Sequence, residues 1–324
     1  ARTGRAAGGA GRRAPGVSER AILVLDEGTS STRALLYRSD GAILASASRP
    51  ITQQYPGPGL VEHDAAEIWD KTLACAREMV ARAGSAGRIA AIGITNQRET
   101  VVAWDKATGE PLARAIVWQD RRTAPQCEAL RGAGHEAELQ RRTGLLLDPY
   151  FSATKMGWLL RHEEAVRSAG DRLAFGTMEG WLVWKLTGTH LSDVSNASRT
   201  LLFALDGHGW DEGLCDLFGV PAAALPELVG NAGRFASTHA DLFGAPIPIT
   251  GLAGDQQAAT IGQGCLGEGE TKATLGTGAF VLTNLGTKVP AEPGRLLGTI
   301  LVEAGGQRRF ALEGSIFAAG SLIK

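Results

Sequence analysis

At 324 residues, 44% hydrophobic and 21% charged, the chain is long enough for two domains and apolar enough to build a core, which excludes bulk disorder. Its 33 basic and 34 acidic residues leave a net charge of -1, so no global positive field is available to hold nucleic acid or an anionic membrane. No apolar run approaches the roughly 18 residues of a transmembrane helix.

Residues 1–20 carry five Arg and one Glu and almost no bulky apolar side chains, so they are expected to form a disordered tail. Order is expected from Ala21. AILVLD (21–26) reads as a buried strand, EGTSST as a polar turn, and RALLYRSDGAILASAS as two strands joined at Asp-Gly. A strand followed by a hairpin disfavours a dinucleotide-binding βαβ unit, in which a helix must follow the Gly-rich turn. Residues 64–83 show an amphipathic pattern with Ile68, Leu73, Ala76 and Val80 on one face. Asp64 is the expected N-cap, Glu67 stands at capping-box spacing, and Gly84 ends the helix.

Further along, 88–95 reads as a strand with NQRE as its polar exit, and VVAWD…GEPLARAIVWQD as a strand pair. Helices are expected over about 120–142, 153–169 and 177–188, the last closed by Gly188. The stretch 220–250 holds Pro221, Pro226, Pro246 and Pro248 and is the expected boundary between two lobes, 21–248 and 249–324. Beyond it the opening order recurs. TKATLGTGAFVLTNLG (271–286) again runs strand, Gly-Thr turn, strand, and RLLGTILVEAGGQRRFALEG (295–314) adds a second hairpin. Cys75, Cys127, Cys215 and Cys265 form no CxxC pair, so free thiols in a reducing cytosol are expected. The histidines show no metal spacing.

Four groups of residues carry chemistry. In DEGTSSTR, Asp26 is a strand-end carboxylate suited to hydrated Mg²⁺, Gly28 permits close backbone approach, and Thr29, Ser30, Ser31 and Arg33 offer donors to phosphate. An ordinary polar hairpin turn explains the same residues equally well. In GLAGDQQAA, Asp255 can accept a proton from a substrate hydroxyl, although alone it reads first as a helix N-cap. The LGTGAF turn exposes backbone N–H groups at Gly276 and Thr277 and gains weight only as the partner of the first turn. Finally, Arg98 and Glu99 can grip vicinal hydroxyls, and Trp118 and Tyr150 can wall a small carbon skeleton. Singly, such residues are more often surface pairs or core.

Taken together, DEGTSSTR, YPGPGLVEHD, AAIGITNQRET, AIVWQDRR, TGLLLDPYFSATK, NASRTLLF, GLAGDQQAA, LGTGAF and ALEGSIFAAG resemble the FGGY carbohydrate kinase family, and within it the glycerol-phosphorylating branch. The motifs occur in the family's order over essentially all of 21–324. The resemblance implies an α/β, actin/Hsp70/hexokinase-type fold of two lobes, each a ribonuclease-H-like domain, with the second lobe cut short after Lys324. It also implies phosphoryl transfer from ATP with Mg²⁺ to glycerol, giving sn-glycerol 3-phosphate, in the cytoplasm.

Carried over motif by motif, the glycerol contacts would be Arg98, Glu99, Trp118, Tyr150, Asp255, Gln256 and Phe280, with Asp255 as the base. Thr29, Ser30, Ser31, Arg33, Gly276, Thr277 and Gly320 would face the nucleotide, and Asp26 and Asp255 the metal. Glycerol is the expected partner, with no nucleic acid, no membrane insertion and room for a homo-oligomer. Glu27 stands where the family often has Gln and adds a carboxylate beside the phosphate turn. HADLFGAPIPI lacks the Gly-Arg loop with which some bacterial members bind fructose 1,6-bisphosphate, so no such inhibition is expected. The shortened second lobe leads to the expectation of a poorly soluble, nearly inactive chain. Two alternatives stand beside this reading: another polyol or pentulose kinase of the family, and a non-catalytic protein that binds glycerol.

Overall fold

In a computed structural model, which describes residues 20–275, 279–290 and 293–316, the chain opens with an antiparallel meander: β1 (Ala21–Glu27), β2 (Ser31–Tyr37) and β3 (Ile43–Pro50). The short β4 (Glu62–His63) leads into α1 (Ala65–Ala83), then β5 (Ile89–Asn96), β6 (Val102–Asp105) and β7 (Ala115–Ile116). A helical region follows, with α2 (Ala124–Gly132), α3 (Glu136–Thr143), α4 (Ser152–His162) and α5 (Glu164–Ser168). After β8 (Leu173–Gly176) come α6 (Met178–Thr187), β9 (Leu191–Asp193), α7 (Val194–Ala197) and α8 (Glu212–Phe218). β10 (Glu227–Val229), β11 (Ala232–Ser237), α9 (Ala240–Phe243), β12 (Pro248–Gly254) and α10 (Asp255–Gly262) bring the chain back to the first sheet. β13 (Thr271–Leu275), β14 (Ala279–Asn284), β15 (Leu297–Ala304) and β16 (Gln307–Ile316) form a separate sheet.

The first sheet has the order β11-β12-β5-β1-β2-β3. β5 pairs parallel with β1, and β12 pairs parallel with β5. A meander extended on its other side by parallel strands is the ribonuclease-H-like arrangement that the resemblance implies. The second sheet is antiparallel, in the order β13-β14-β16-β15. Its opening hairpin repeats β1–β2, but the turn that would match Gly28 lies outside the described residues. The strand beside β14 is β16, reached only after β15.

The expected lobe boundary at 248 does not coincide with the sheets. β12 begins there and hydrogen-bonds into the first sheet, so the chain leaves that sheet only after Gly254. Proline marks the loops around β11 and α9, but the apolar residues after Pro248 find their partners in β5, and strand pairing outweighs the local signal.

α1 shows how sequence becomes position. Asp64 caps it by accepting from Ala66 N and Glu67 N, and Gly84 ends it in the left-handed region at φ 95°. The capping box is not reciprocal. Glu67 instead accepts from Thr52 Oγ1 at 2.8 Å and from Lys71 Nζ. The buried face comprises Ile68, Thr72, Cys75, Ala76, Met79 and Val80, while Leu73 is only half-buried. It shares one core with Leu23, Leu25, Ala34, Leu36, Ile92 and Ile94 of the sheet and with Trp181 and Leu182 of α6. Each fully buried aliphatic side chain contributes roughly 1.5–3 kcal/mol here. A second core lies in the helical region around Tyr150, Phe151, Met156, Phe175 and Phe218. A third joins Val194 and Ala197 to Ile300 and Phe310 of the second sheet.

The four cysteines are free, and among the described residues no helix is long and apolar enough to cross a membrane. The tail expected over 1–20 lies, apart from Arg20, outside the described residues.

Candidate active site

Because β1, β5 and β12 are parallel neighbours, their carboxyl ends reach the same edge of the sheet. Glu27 stands opposite Asn96, and Asn96 opposite Gly254. The segments that follow these strands, 28–30, 97–99 and Asp255, therefore converge, as ligand-binding segments of open α/β sheets do. They line a cavity of about 510 Å³. Loops after β3 and β7 add Gln53, Tyr55, Trp118 and Gln119, and the segment before α4 adds Tyr150. The second sheet closes the cavity with Thr274 and Phe280.

All seven residues expected to touch a polyol line this one cavity: Arg98, Glu99, Trp118, Tyr150, Asp255, Gln256 and Phe280. The aromatic wall is mutually packed. Trp118 meets Tyr150 edge-on at 5.7 Å between centroids and Phe280 at 6.3 Å. The polar side is electrostatically dense. Arg98 is buried, and its fork end donates to Glu313 on β16, Nη1 to Oε2 at 2.6 Å and Nη2 to Oε1 at 2.9 Å. The Nε of Arg98 lies 3.5 Å from Asp255 Oδ1 and 3.8 Å from Glu99 Oε1.

Glu99 has φ 62°, and Thr100 N donates to Arg98 O at 2.8 Å across it. That three-residue turn is strained for a side-chain-bearing residue, and such strain persists only where the surroundings over-determine it. Gly254 makes room for the arginine: a Cβ there would lie 2.7 Å from Arg98 Cδ and 2.8 Å from both Arg98 Cγ and Gln257 Oε1.

Burial raises the pKa of Asp255, with Arg98 opposing, and the side chain stays 39% exposed to the cavity. Asp255 is both things its sequence allowed. It opens α10 and accepts from Gln256 N at 2.7 Å, and it faces the cavity. Burial also raises Glu99 against the pull of Arg98 and Arg199, and pushes the Tyr150 phenol well up. Burial works to raise Glu313 as well, but Arg199 and Arg98 overcome it and bring the carboxyl down to about 2.

The expected phosphate turn is placed only in part around the cavity. Thr29 and Ser30 line it, and Trp118 Nε1 donates to Thr29 Oγ1 at 2.9 Å. Ser31 opens β2, and its carbonyl accepts from Gly28 N, closing the turn. Arg33 and Asp26 do not line the cavity. They are cross-strand partners joined by a 2.8 Å ion pair, because antiparallel pairing sets them side by side on one face. Burial raises the pKa of Asp26 despite Arg33. Gly276, Thr277 and Gly320 lie outside the described residues.

Glu27 turns away from the cavity, toward α1. It is fully buried, accepts from Thr72 Oγ1 at 3.0 Å, and is driven up to about 8 by burial. At neutral pH it is an uncharged acid, so the extra carboxylate beside the turn adds no charge to it.

Sequence reading missed Arg199 and Glu313, which hold Arg98 and Glu99 from behind. Both stand in recognisable motifs, NASRTLLF and ALEGSIF, but nothing local marks them as partners of residues 100 and 215 positions away. Gln97 was missed too. Its backbone N donates to Glu27 O at 2.6 Å and its side-chain amide to Gly28 O at 3.1 Å, fastening β5 to the turn.

A parallel-strand crevice between two sheets, lined by a buried Arg–Glu pair, an aspartate and an aromatic wall, is the arrangement of a two-lobed α/β carbohydrate kinase. The sequence profile of the FGGY family of carbohydrate kinases, N-terminal domain, matches residues 21–262, and the chain belongs to this family. It is 53% identical over 308 residues to a glycerol kinase of Rhodospirillum rubrum, covering 94% of this chain and 62% of that relative. Among solved structures it is similar to glycerol kinase of Plasmodium falciparum with ADP (TM-score 0.89, 36% identity, 94% of this chain and 62% of that one). It is also similar to xylulose kinase of Rhodospirillum rubrum (TM-score 0.84, 27% identity, 93% of this chain and 62% of that one). The chain thus spans 62% of the length of the curated relatives it matches.

Proposed function

We propose that the site phosphorylates glycerol with ATP, giving sn-glycerol 3-phosphate. The observation that carries this reading is the convergence of Arg98, Glu99, Asp255 and the Trp118–Tyr150–Phe280 wall on one cavity. Arg98 Nε and the Glu99 carboxylate offer a charged donor and a charged acceptor side by side, the pairing that adjacent hydroxyls satisfy. The rings cover the carbon skeleton. Asp255 takes the proton of the hydroxyl that attacks the terminal phosphate. Its raised pKa keeps it a competent acceptor, while the start of α10 favours its ionised form. Gln256 flanks it, held by Lys272 Nζ at 2.7 Å.

Thr29 and Ser30 reach the phosphates directly. Ser31 and Arg33 support the turn from β2, and Gly276, Thr277 and Gly320 belong to the same reading. Phosphoryl transfer asks chiefly for positioning and charge neutralisation. A nucleotide-borne Mg²⁺ fits a site that offers it the Asp255 carboxylate, since the ion takes one or two carboxylates together with phosphate oxygens and water. Asp255, which faces the cavity, would hold it, and it would supply charge neutralisation; Asp26, the other expected metal ligand, is instead ion-paired to Arg33 outside the cavity. In the lobe division that accompanies this reading, the first lobe ends with β12 and α10 and the second opens at β13.

A second reading, a pentulose or larger polyol kinase, draws on the likeness to xylulose kinase and on a cavity roomier than a three-carbon polyol needs. A substrate panel separates the two: glycerol is expected to give the highest kcat/KM, and a higher value for xylulose or erythritol overturns the assignment. Asp255→Asn is expected to lower kcat by about 10²–10⁴ while leaving the glycerol dissociation constant within tenfold. Unchanged turnover removes Asp255 as the base.

A further inference from the structure

Arg199 and Glu313 take no part in lining the cavity, yet both Arg98 and Glu99, which do, lean on them. Arg199 follows α7 and is fully buried. Its Nε donates to Glu99 Oε1 at 2.7 Å and its Nη2 to Glu313 Oε1 at 3.1 Å. Its guanidinium carbon sits 5.5 Å from the Tyr150 ring centre and 5.2 Å from that of Phe151. Glu313, equally buried, accepts both fork nitrogens of Arg98 and also Ser315 Oγ at 2.8 Å.

Arg98 and Glu99 are neighbours in sequence with opposite charge. Left alone in a water-poor site they would close on each other and use up the capacity that a substrate needs. Instead, Glu99 is drawn back by Arg199, its backbone held in the strained turn at φ 62°, and Arg98 is drawn toward the second sheet by Glu313. The gap of 3.8 Å between Arg98 Nε and Glu99 Oε1 is the result.

We propose that Arg199 and Glu313 are positioning residues that set this gap and thereby make the site select for two hydroxyls on adjacent carbons. The proposal rests on the polyol reading above. The 1,2-diol edge of glycerol fits a donor and an acceptor held just apart. A 1,3-diol, whose hydroxyls are further separated, does not.

The test uses the full chain carrying Arg199→Lys or Glu313→Gln, with circular dichroism and melting as controls for folding. Affinity for glycerol and for 1,3-propanediol is read by calorimetry. The wild type is expected to prefer glycerol, and each variant to weaken glycerol at least tenfold while 1,3-propanediol changes less than threefold, so that the preference collapses. Equal loss of both, or a preserved preference, overturns the proposal. If the wild type binds neither polyol, the functional reading fails, and the positioning pair is judged without ligand by a double-mutant cycle. Arg199→Met and Glu99→Gln are expected to be non-additive in urea midpoint, and additive effects overturn it.

Discussion

The indole nitrogen of Trp118 donates to the Thr29 hydroxyl at 2.9 Å, which joins the aromatic wall of the cavity to the turn that follows β1. With one of its two lone pairs taken by the indole, the Thr29 hydroxyl keeps its own proton to donate, on the proposed reading, to a phosphate of the nucleotide. In Trp118→Phe the wall persists and this bond is lost. A neutral hydrogen bond contributes about 0.5–1.5 kcal/mol, so the KM for ATP is expected to rise about 2- to 10-fold. The glycerol KM should move less. Steady-state kinetics in both substrates check this, and an unchanged ATP KM removes the link between wall and turn.

Gly254 is needed for space rather than for backbone freedom, since its φ of -59° is open to any residue. A methyl group there meets Arg98 and the Gln257 amide oxygen at 2.7–2.8 Å. Gly254→Ala is expected to push the guanidinium out of register, destabilise the fold by about 1–3 kcal/mol and weaken glycerol binding. Melting and calorimetry on the same sample test it. An alanine variant with wild-type affinity shows that Arg98 has slack.

Glu27 predicts a pH dependence of stability. Burial raises its carboxyl from 4.5 to about 8, Thr32 and Thr72 pull the other way, and neighbouring Asp26 adds to the rise. The folded state therefore keeps a proton that the unfolded state gives up above about 4.5. Its stability contribution is complete below that pH and is lost progressively as pH climbs to about 8, a fall on the order of a few kcal/mol. Glu27→Gln removes the titration. Measured at pH 5, 7 and 8.5, the melting midpoint of the variant should gain several degrees on the wild type toward the alkaline end. A constant difference between the two proteins across this range contradicts the buried neutral acid.

The local elements were legible in the sequence because each is written in short-range chemistry. The apolar run and Asp-Gly turn specify β1 to β3, Asp64 and Gly84 bound α1, and Gly188 ends α6. Gly84 and Gly188 mark helix ends, and Gly254 a close approach. The cavity residues were legible as motifs, since Asn-Gln-Arg-Glu and Gly-Asp-Gln-Gln stand directly after strands and strand ends are where parallel sheets offer side chains to a ligand.

What the tertiary structure alone decided was the partnership between distant residues. The assignment of β12 to the first sheet, the pairing of Asp26 with Arg33, the burial of Glu27 as an uncharged acid and the grip of Arg199 and Glu313 on Arg98 and Glu99 all depend on which surfaces meet. Hydrogen bonds and ion pairs act over about 3–4 Å. Periodicity and capping carry no information about which of two charged residues 215 positions apart will close that distance. Packing of the two sheets brings them together, and with them the shape of the site.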